Sequence, residues 1–354
     1  MSYFLRLRKP LKTVSLLIGT LALNLAPAQA EAVVIKVITD RTEATLKPMF
    51  DFYEKTRGVK INAVYVEQGL VNRLESRPTE ADVVITKDAE LLELARGKGL
   101  LQAYKSDLID KNIPELYRNG AHSYFVDAYR ARVIIYSKTR VKPAQLSGYE
   151  ELASPKWKGK LCIRSGFHDY NVGLFSQMAA SWGPDRAKHV MKGFHDNLAR
   201  EPKGSDRDQA KAIFEGKCDV GIMNTYYYPL MMGSPEEKPW ALATDIFYPN
   251  QDGLGAFVMR SALGLTKAGD NVAPATALLE FFASLEGQSL ISKLTYQFTT
   301  NPQVPMHEVL QKLGSTQSQV NGGHFKINLV PLSFVAANRD DVVKYLNEIN
   351  FDKH

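Results

Sequence analysis

The sequence predicts an α/β protein of two lobes, each a mostly parallel sheet flanked by helices, with a hinged cleft between them. Three observations carry this expectation. Short runs rich in Val and Ile alternate with stretches whose apolar residues recur at helical spacing, which is how a parallel sheet covered by helices is written. The alternation starts afresh after a linker holding Pro143. A further apolar run, Leu254 to Met259, then leads back toward the first unit, so more than one strand joins the two halves. Two lobes joined in this way have a hinge.

Residues 1–30 of the 354 read as a targeting segment rather than as fold. Arg6, Arg8, Lys9 and Lys12 give a basic start, Val14 to Leu25 is an apolar run too short to span a bilayer, and Ala28-Gln29-Ala30 is a small-x-small cleavage site. No lipobox cysteine lies near the cut, so a soluble exported protein is expected. Cutting there leaves 324 residues, more than one typical core organises. It also removes four cations from a net charge of +6, leaving +2. No basic run with interleaved aromatics remains, so nucleic acid is not the implied partner.

Val33 to Thr39 is the first strand, and Asp40 to Glu43 a polar loop. Leu46, Met49, Phe50 and Tyr53 define a helix that Gly58 closes. Lys60 to Val66 is a strand, Leu70 to Arg77 a helix, Ala81 to Thr86 a strand and Glu90 to Leu100 a helix. Loops such as Asp40–Glu43 and Lys87–Asp88 then share the ligand rim of the sheet. Arg130 to Tyr136 leaves this unit as a strand. Lys160 to Arg164 begins the second unit, followed by a turn ending in Tyr170 and by helices over Val172–Trp182, Ala187–Leu198 and Asp206–Glu215. Cys218 to Met223 is the next strand. After Leu254 to Met259 come helices over Ala273–Ala283 and from Ser284 to about Tyr296, and a tail helix with Val342, Val343, Tyr345, Leu346 and Ile349 on one stripe. The lobe boundaries expected from this order are 31–132 plus 254–305 for the first and 133–253 plus 306–354 for the second.

The most informative stretch follows the strand from Cys218. Tyr226, Tyr227 and Tyr228 stand in a row before Pro229, which is expected to redirect the backbone. Carboxyl ends of strands are where open α/β sheets place ligands. A single tyrosine there serves as an interfacial residue, apolar in body and wet at the tip. Consecutive side chains point in different directions, so three in a row do not all fill one core pocket. Cys162 and Cys218 lie near the starts of two strands. They meet within bonding distance only if those strands are neighbours. An exported protein sits where disulfides persist, and neither cysteine has the CxxC neighbour of a zinc site.

Enzyme constellations are missing. The sequence holds no GxSxG, HExxH, post-strand GxGxxG or P-loop. His122, His168, His189, His195, His307, His324 and His354 show no metal-ligand spacing, and only His168, in the turn ending at Tyr170, stands near the tyrosine-bearing loops.

Several segments resemble the periplasmic ferric-ion-binding proteins of bacterial iron ABC transporters, which have the type II periplasmic binding protein fold. They are Lys55-Thr-Arg-Gly-Val-Lys60, Ala81-Asp-Val-Val-Ile-Thr86, Arg130-Ala-Arg-Val-Ile-Ile-Tyr136, Pro155-Lys-Trp-Lys-Gly-Lys160, Arg164-Ser165, Asn224-Thr-Tyr-Tyr-Tyr228 and Ser284-Leu-Glu-Gly-Gln288. The resemblance spans essentially the whole mature chain. It implies that Tyr226, Tyr227 and Tyr170 bind Fe(III). Members often carry a His-Tyr pair, or a His with a Glu, on the first lobe. Here Thr42 and Glu43 stand there, and Lys87 replaces a glutamate of some members. This departure resembles the subclass that uses three tyrosines and a carbonate-like anion held by an arginine matching Arg41. Glu43 is the lesser candidate ligand, and Arg130 either borders the anion or forms a structural ion pair. The cysteine pair resembles that subclass as well, implying a Cys162–Cys218 disulfide.

The implied protein is no enzyme: a periplasmic monomer hands ferric iron to an inner-membrane ABC permease. The same fold with a small organic or phosphorylated solute is the alternative. Elementary chemistry favours the metal. Fe(III) prefers hard anionic oxygen donors. A free phenol ionises near pH 10, a bound cation draws that ionisation toward neutrality, and three phenolates match a 3+ charge.

Overall fold

The computed structural model describes Met1 and residues 33–353, so the targeting-segment expectation lies outside the described residues. The chain begins with β1 (Val34–Thr39), α1 (Glu43–Arg57), β2 (Lys60–Tyr65), α2 (Leu70–Ser76), β3 (Val83–Thr86) and α3 (Glu90–Gly97). α1 buries Leu46, Met49, Phe50 and Tyr53, the residues whose spacing predicts it, and ends at Gly58, whose φ of 67° suits glycine. β4 (Leu101–Gln102) and α4 (Asp107–Asn112) lead to β5 (Tyr124–Ser137). The second unit holds β6 (Leu161–Cys162), α5 (Asp169–Trp182), α6 (Pro184–Asp196), α7 (Asp206–Phe214), β7 (Val220–Asn224), α8 (Tyr227–Gly233), α9 (Lys238–Ala243) and β8 (Thr244–Phe247). β9 (Ala256–Thr266) returns, followed by α10 (Val272–Ala283), α11 (Leu285–Thr295), β10 (Phe298–Thr299), α12 (Glu308–Gln311), β11 (Ile327–Asn328) and α13 (Leu332–Glu348).

The main path of strands runs β2-β1-β3-β9-β5-β7-β6. Its two ends are parallel, β1 with β2 and β3 on one side and β6 with β7 on the other. The middle is antiparallel, because β5 and β9 run past each other and join the two ends. These strands have 14 and 11 residues, well beyond the Arg130–Tyr136 and Leu254–Met259 expected from hydrophobic pattern. The pattern fails because Asp127, Arg130, Arg132, Arg260 and Ser261 are buried along them. A polar residue inside a strand reads as a break unless its partner is known.

One apolar cluster gathers Leu46, Phe50, Val83, Phe125, Leu263 and Phe282, and another gathers Trp157, Phe175, Phe194, Val220, Leu346 and Phe351. The first draws on the outer parts of the chain described above and the second on the middle and the tail, as two lobes require. α13 packs against both α5 and α3.

Cys162 and Cys218 form a disulfide with Cα atoms 5.9 Å apart. Their strands are neighbours: Cys162 on β6 lies opposite Gly221 on β7, and no Cβ fits at 221 because it would come 2.9 Å from the Cys162 carbonyl oxygen. In the entropic account, closing a loop with a sequence separation of 56 stabilises the fold by about 4 kcal/mol.

Candidate metal centre

Tyr226 and Tyr227 follow the end of β7, and the chain does not turn away at Pro229. Instead Tyr227–Gly233 is helix α8. Pro229 sits in its first turn, where the N–H that proline lacks would have no helical partner anyway. Tyr170 likewise lies in the first turn of α5 rather than in a loop, and the His168 side chain caps that helix by accepting from the Tyr170 N–H at 3.1 Å. Three phenols thus reach one region from two helix starts. The hydroxyls of Tyr170 and Tyr226 are 3.2 Å apart, and the rings of Tyr226 and Tyr227 have centroids 4.2 Å apart. Tyr228 is separate: its hydroxyl lies 3.4 Å from the Thr244 carbonyl oxygen.

Asp206 holds these segments together. It is wholly buried at the start of α7 and accepts from Arg132 at 2.6 Å, from Arg164 at 3.2 Å and from the Asn224 N–H at 2.9 Å. Arg132 also donates to Asn171 at 2.9 Å, and Asn171 donates to the carbonyls of Arg164 and Ser165. The end of β7, the turn after β6 and the start of α5 therefore share one network. Sequence reading treats Asp206 only as a helix start; nothing in local pattern reports partners from 42 to 74 residues away.

The phenols face a cavity of about 580 Å³, lined also by Asp40, Arg41, Thr42, Lys87, Arg130, Arg164, His168 and Arg207. Guanidinium carbons of Arg164, Arg130 and Arg132 stand 5.1, 5.3 and 5.7 Å from the centre of the Tyr170 ring. Burial pushes the Tyr226 phenol well above its ordinary range, Tyr170 and Tyr227 push it further, and Arg130 opposes them. Burial raises Tyr227 too. His168 is driven down to about 4 by burial and by Arg164, so it is a neutral cap.

Arg41 is 5 % exposed and lines the opposite wall. One arm, Nη1, reaches Asp127 at 3.1 Å, while Nη2 is buried without a hydrogen-bond partner. Asp127 sits where the β5–β9 register shifts between Val126 and Ala128. Such a bulge re-aims a side chain. Gln288 and Thr300 bind the Asp127 carbonyl oxygen at 2.8 and 3.2 Å, so the bulge is held from α11. Arg130 borders the cavity and pairs with buried Asp88 at 3.1 Å. Lys87 lies on the cavity wall and meets Asp169 at 3.2 Å, spanning from the β3 end to the start of α5.

Glu43 is not on the wall. It is exposed on the first turn of α1, while its neighbours Thr42, Ala44 and Thr45 line the cavity. The carboxylate the cavity does contain is Asp40, which sequence reading assigns to a polar loop. It accepts from the Lys87 N–H at 2.8 Å and from the Thr86 hydroxyl at 3.1 Å, and burial with Asp88 nearby raises its pKa to about 6. A strand-to-helix turn exposes residues by position, not by type, so the sequence does not separate Asp40 from Glu43. Among the described residues no group of three His, Cys, Asp or Glu side chains is arranged to hold a metal.

Comparison with known proteins gives the family and the fold. Residues 79–315 match the family described as bacterial extracellular solute-binding protein, more than half of the chain. The chain belongs to that family. Members of this solute-binding family serve transport rather than catalysis. The chain is 33 % identical over 299 residues to iron uptake protein A1 of Synechocystis, covering 83 % of each. Its fold matches the apo ferric ion-binding protein A of Pasteurella haemolytica with a TM-score of 0.83 and 33 % identity, over 91 % of this chain and 99 % of that one. A Trichodesmium protein solved in complex with iron and citrate matches with a TM-score of 0.80 and 32 % identity, over 90 % and 99 %. The two-lobe type II periplasmic binding protein fold is therefore established for this chain.

Proposed function

We propose that this solute-binding protein captures ferric iron in the periplasm through Tyr170, Tyr226 and Tyr227 and delivers it as a monomer to an inner-membrane ABC permease. The observation that carries the reading is the convergence of three phenols on one cavity, with two hydroxyls 3.2 Å apart. When protonated, the two hydroxyls share a hydrogen bond; once ionised, the neighbouring phenolates would repel each other, and a trivalent cation between them replaces that repulsion by attraction to both. The iron-related relatives named above support the metal over an organic or phosphorylated solute.

A carbonate or similar small anion completes the coordination. Arg41 supports this: its Nη2 is buried, directed by the Asp127 pair and without a partner. A buried donor without an acceptor costs free energy, and a bidentate anion beside the metal would satisfy it. Arg130 flanks the anion, and Glu43, outside the wall, takes no coordination position. The lobes we propose are 31–132 plus 254–305 and 133–253 plus 306–354, a division that cuts β5 and passes just before β9, with α13 packed against both α3 and α5.

Optical titration of the metal-free protein with ferric citrate, with and without bicarbonate, tests the reading. A visible phenolate-to-iron absorption should grow to one iron per chain and strengthen with bicarbonate. Iron uptake without colour, or unchanged colour in Tyr226→Phe and Tyr227→Phe, would remove tyrosine ligation.

A further inference from the structure

A second cavity, of about 330 Å³, lies away from the phenols between β5, β9, the loop around Tyr117 and the start of α13. Arg260 projects from β9 into its lining and is 7 % exposed. Every other deeply buried arginine on the crossing strands has a carboxylate partner: Arg130 has Asp88 and Arg132 has Asp206. Arg260 has none within 4 Å among the described residues. Its one hydrogen bond runs from Nη2 to the Val330 carbonyl oxygen at 2.7 Å. Glu93 shares the cavity, but its oxygens are taken by Arg96 and by the Tyr124 hydroxyl at 2.8 Å, so it answers another cation.

A second donor set meets the same space. α13 is a helix of 17 residues whose N-cap is Pro331, with no side-chain cap and no acidic residue in its first turn. Leu332 and Ser333, its first two residues, line the cavity. A long helix left uncapped presents free N–H groups and a partial positive charge. A buried guanidinium with a single carbonyl partner and no carboxylate, and an uncapped helix start, both favour an anionic acceptor.

We infer that this cavity, framed by Arg260 and the first turn of α13, binds the carboxylate of a small organic acid. Arg118 also lines the cavity but is paired with Asp110, so one guanidinium without a carboxylate and one helix end balance a single negative charge. Glu93 on the same wall disfavours a doubly charged phosphate. The apolar part of the acid lies against Tyr117, Leu116 and Leu332. The inference does not depend on iron binding in the cleft, because none of these residues lines the cleft cavity.

Calorimetric titration of the metal-free protein with sodium butyrate, in saturating bicarbonate and at fixed ionic strength, tests it. Butyrate should bind saturably at one site per chain. Arg260→Gln should weaken it at least tenfold, about the worth of one charge-assisted hydrogen bond. Ser333→Glu, an exposed change that brings a carboxylate to the helix start, should weaken it as much, and it decides the matter if Arg260→Gln fails to fold. Arg41→Gln should leave butyrate binding unchanged. Binding lost in Arg41→Gln but kept in the other two, no saturable butyrate binding, or phosphate binding in preference to butyrate would each overturn the inference.

Discussion

The two walls of the cleft differ in how they carry charge. On the wall with Arg41, Lys87 and Arg130, each cation already has a carboxylate: Asp127, Asp169 and Asp88. On the wall with Tyr170, Tyr226 and Tyr227, the facing groups include hydroxyls that burial keeps protonated at Tyr226 and Tyr227. The first wall is charged whether or not anything is bound. The second carries Arg164 and Arg207 beside the phenols, but its three hydroxyls themselves would become charged only when a cation displaces their protons. On the proposed reading, discrimination in favour of a trivalent metal would belong to the phenol wall, while the arginine wall would manage an accompanying anion.

The sharpest way to break this contrast is to remove a phenol oxygen. Tyr226→Phe or Tyr227→Phe should lower ferric affinity by more than about 100-fold, beyond the 10–100-fold typical of losing an outer-shell partner. A competition titration against citrate, read by visible absorbance, gives the number.

Acidity probes the same wall. The Tyr226 and Tyr227 pKa values are raised in the metal-free protein, so on the proposed reading these groups would enter binding protonated and leave it ionised. Binding then releases protons, so affinity is present at higher pH and is lost as pH falls. Each released proton changes affinity about tenfold per pH unit. A slope of log affinity against pH below one, measured between pH 6 and 8, would contradict phenolate coordination.

Arg41→Gln acts on the opposite wall. It should cost about 10–100-fold in affinity with bicarbonate and much less without it, since the residue works through the anion. Equal losses in both conditions would place Arg41 in the scaffold alone. The smallest effect is expected at Glu43: as an exposed helix residue outside the cavity, Glu43→Gln should move affinity by less than about twofold in the same titration.

The same contrast explains what the sequence reveals. Helices such as Glu43–Arg57 and strands such as Val34–Thr39 are legible because their apolar residues repeat at the period of the element. The phenol wall is legible because Tyr226 and Tyr227 are adjacent in the chain and unusual as a pair. Tyr170 is identified through resemblance alone, its hydroxyl meeting Tyr226 across 56 residues. The arginine wall is less legible. Arg41 is found by resemblance, but its orientation depends on a bulge at Asp127, 86 residues away, braced by Gln288. Long-range polar pairs leave no periodic trace, and for the same reason the crossing strands read shorter than they are.

Those crossing strands also limit how the molecule opens. Were β5 the sole connection, one half could twist about it like a flag on a pole. With β9 running alongside, hydrogen-bonded from Tyr124 to Ala131 of β5, such swivelling would tear the ladder. What remains is bending across the pair, as a lid moves on two pins. Each closure therefore brings the same atoms of arginine and phenol walls face to face.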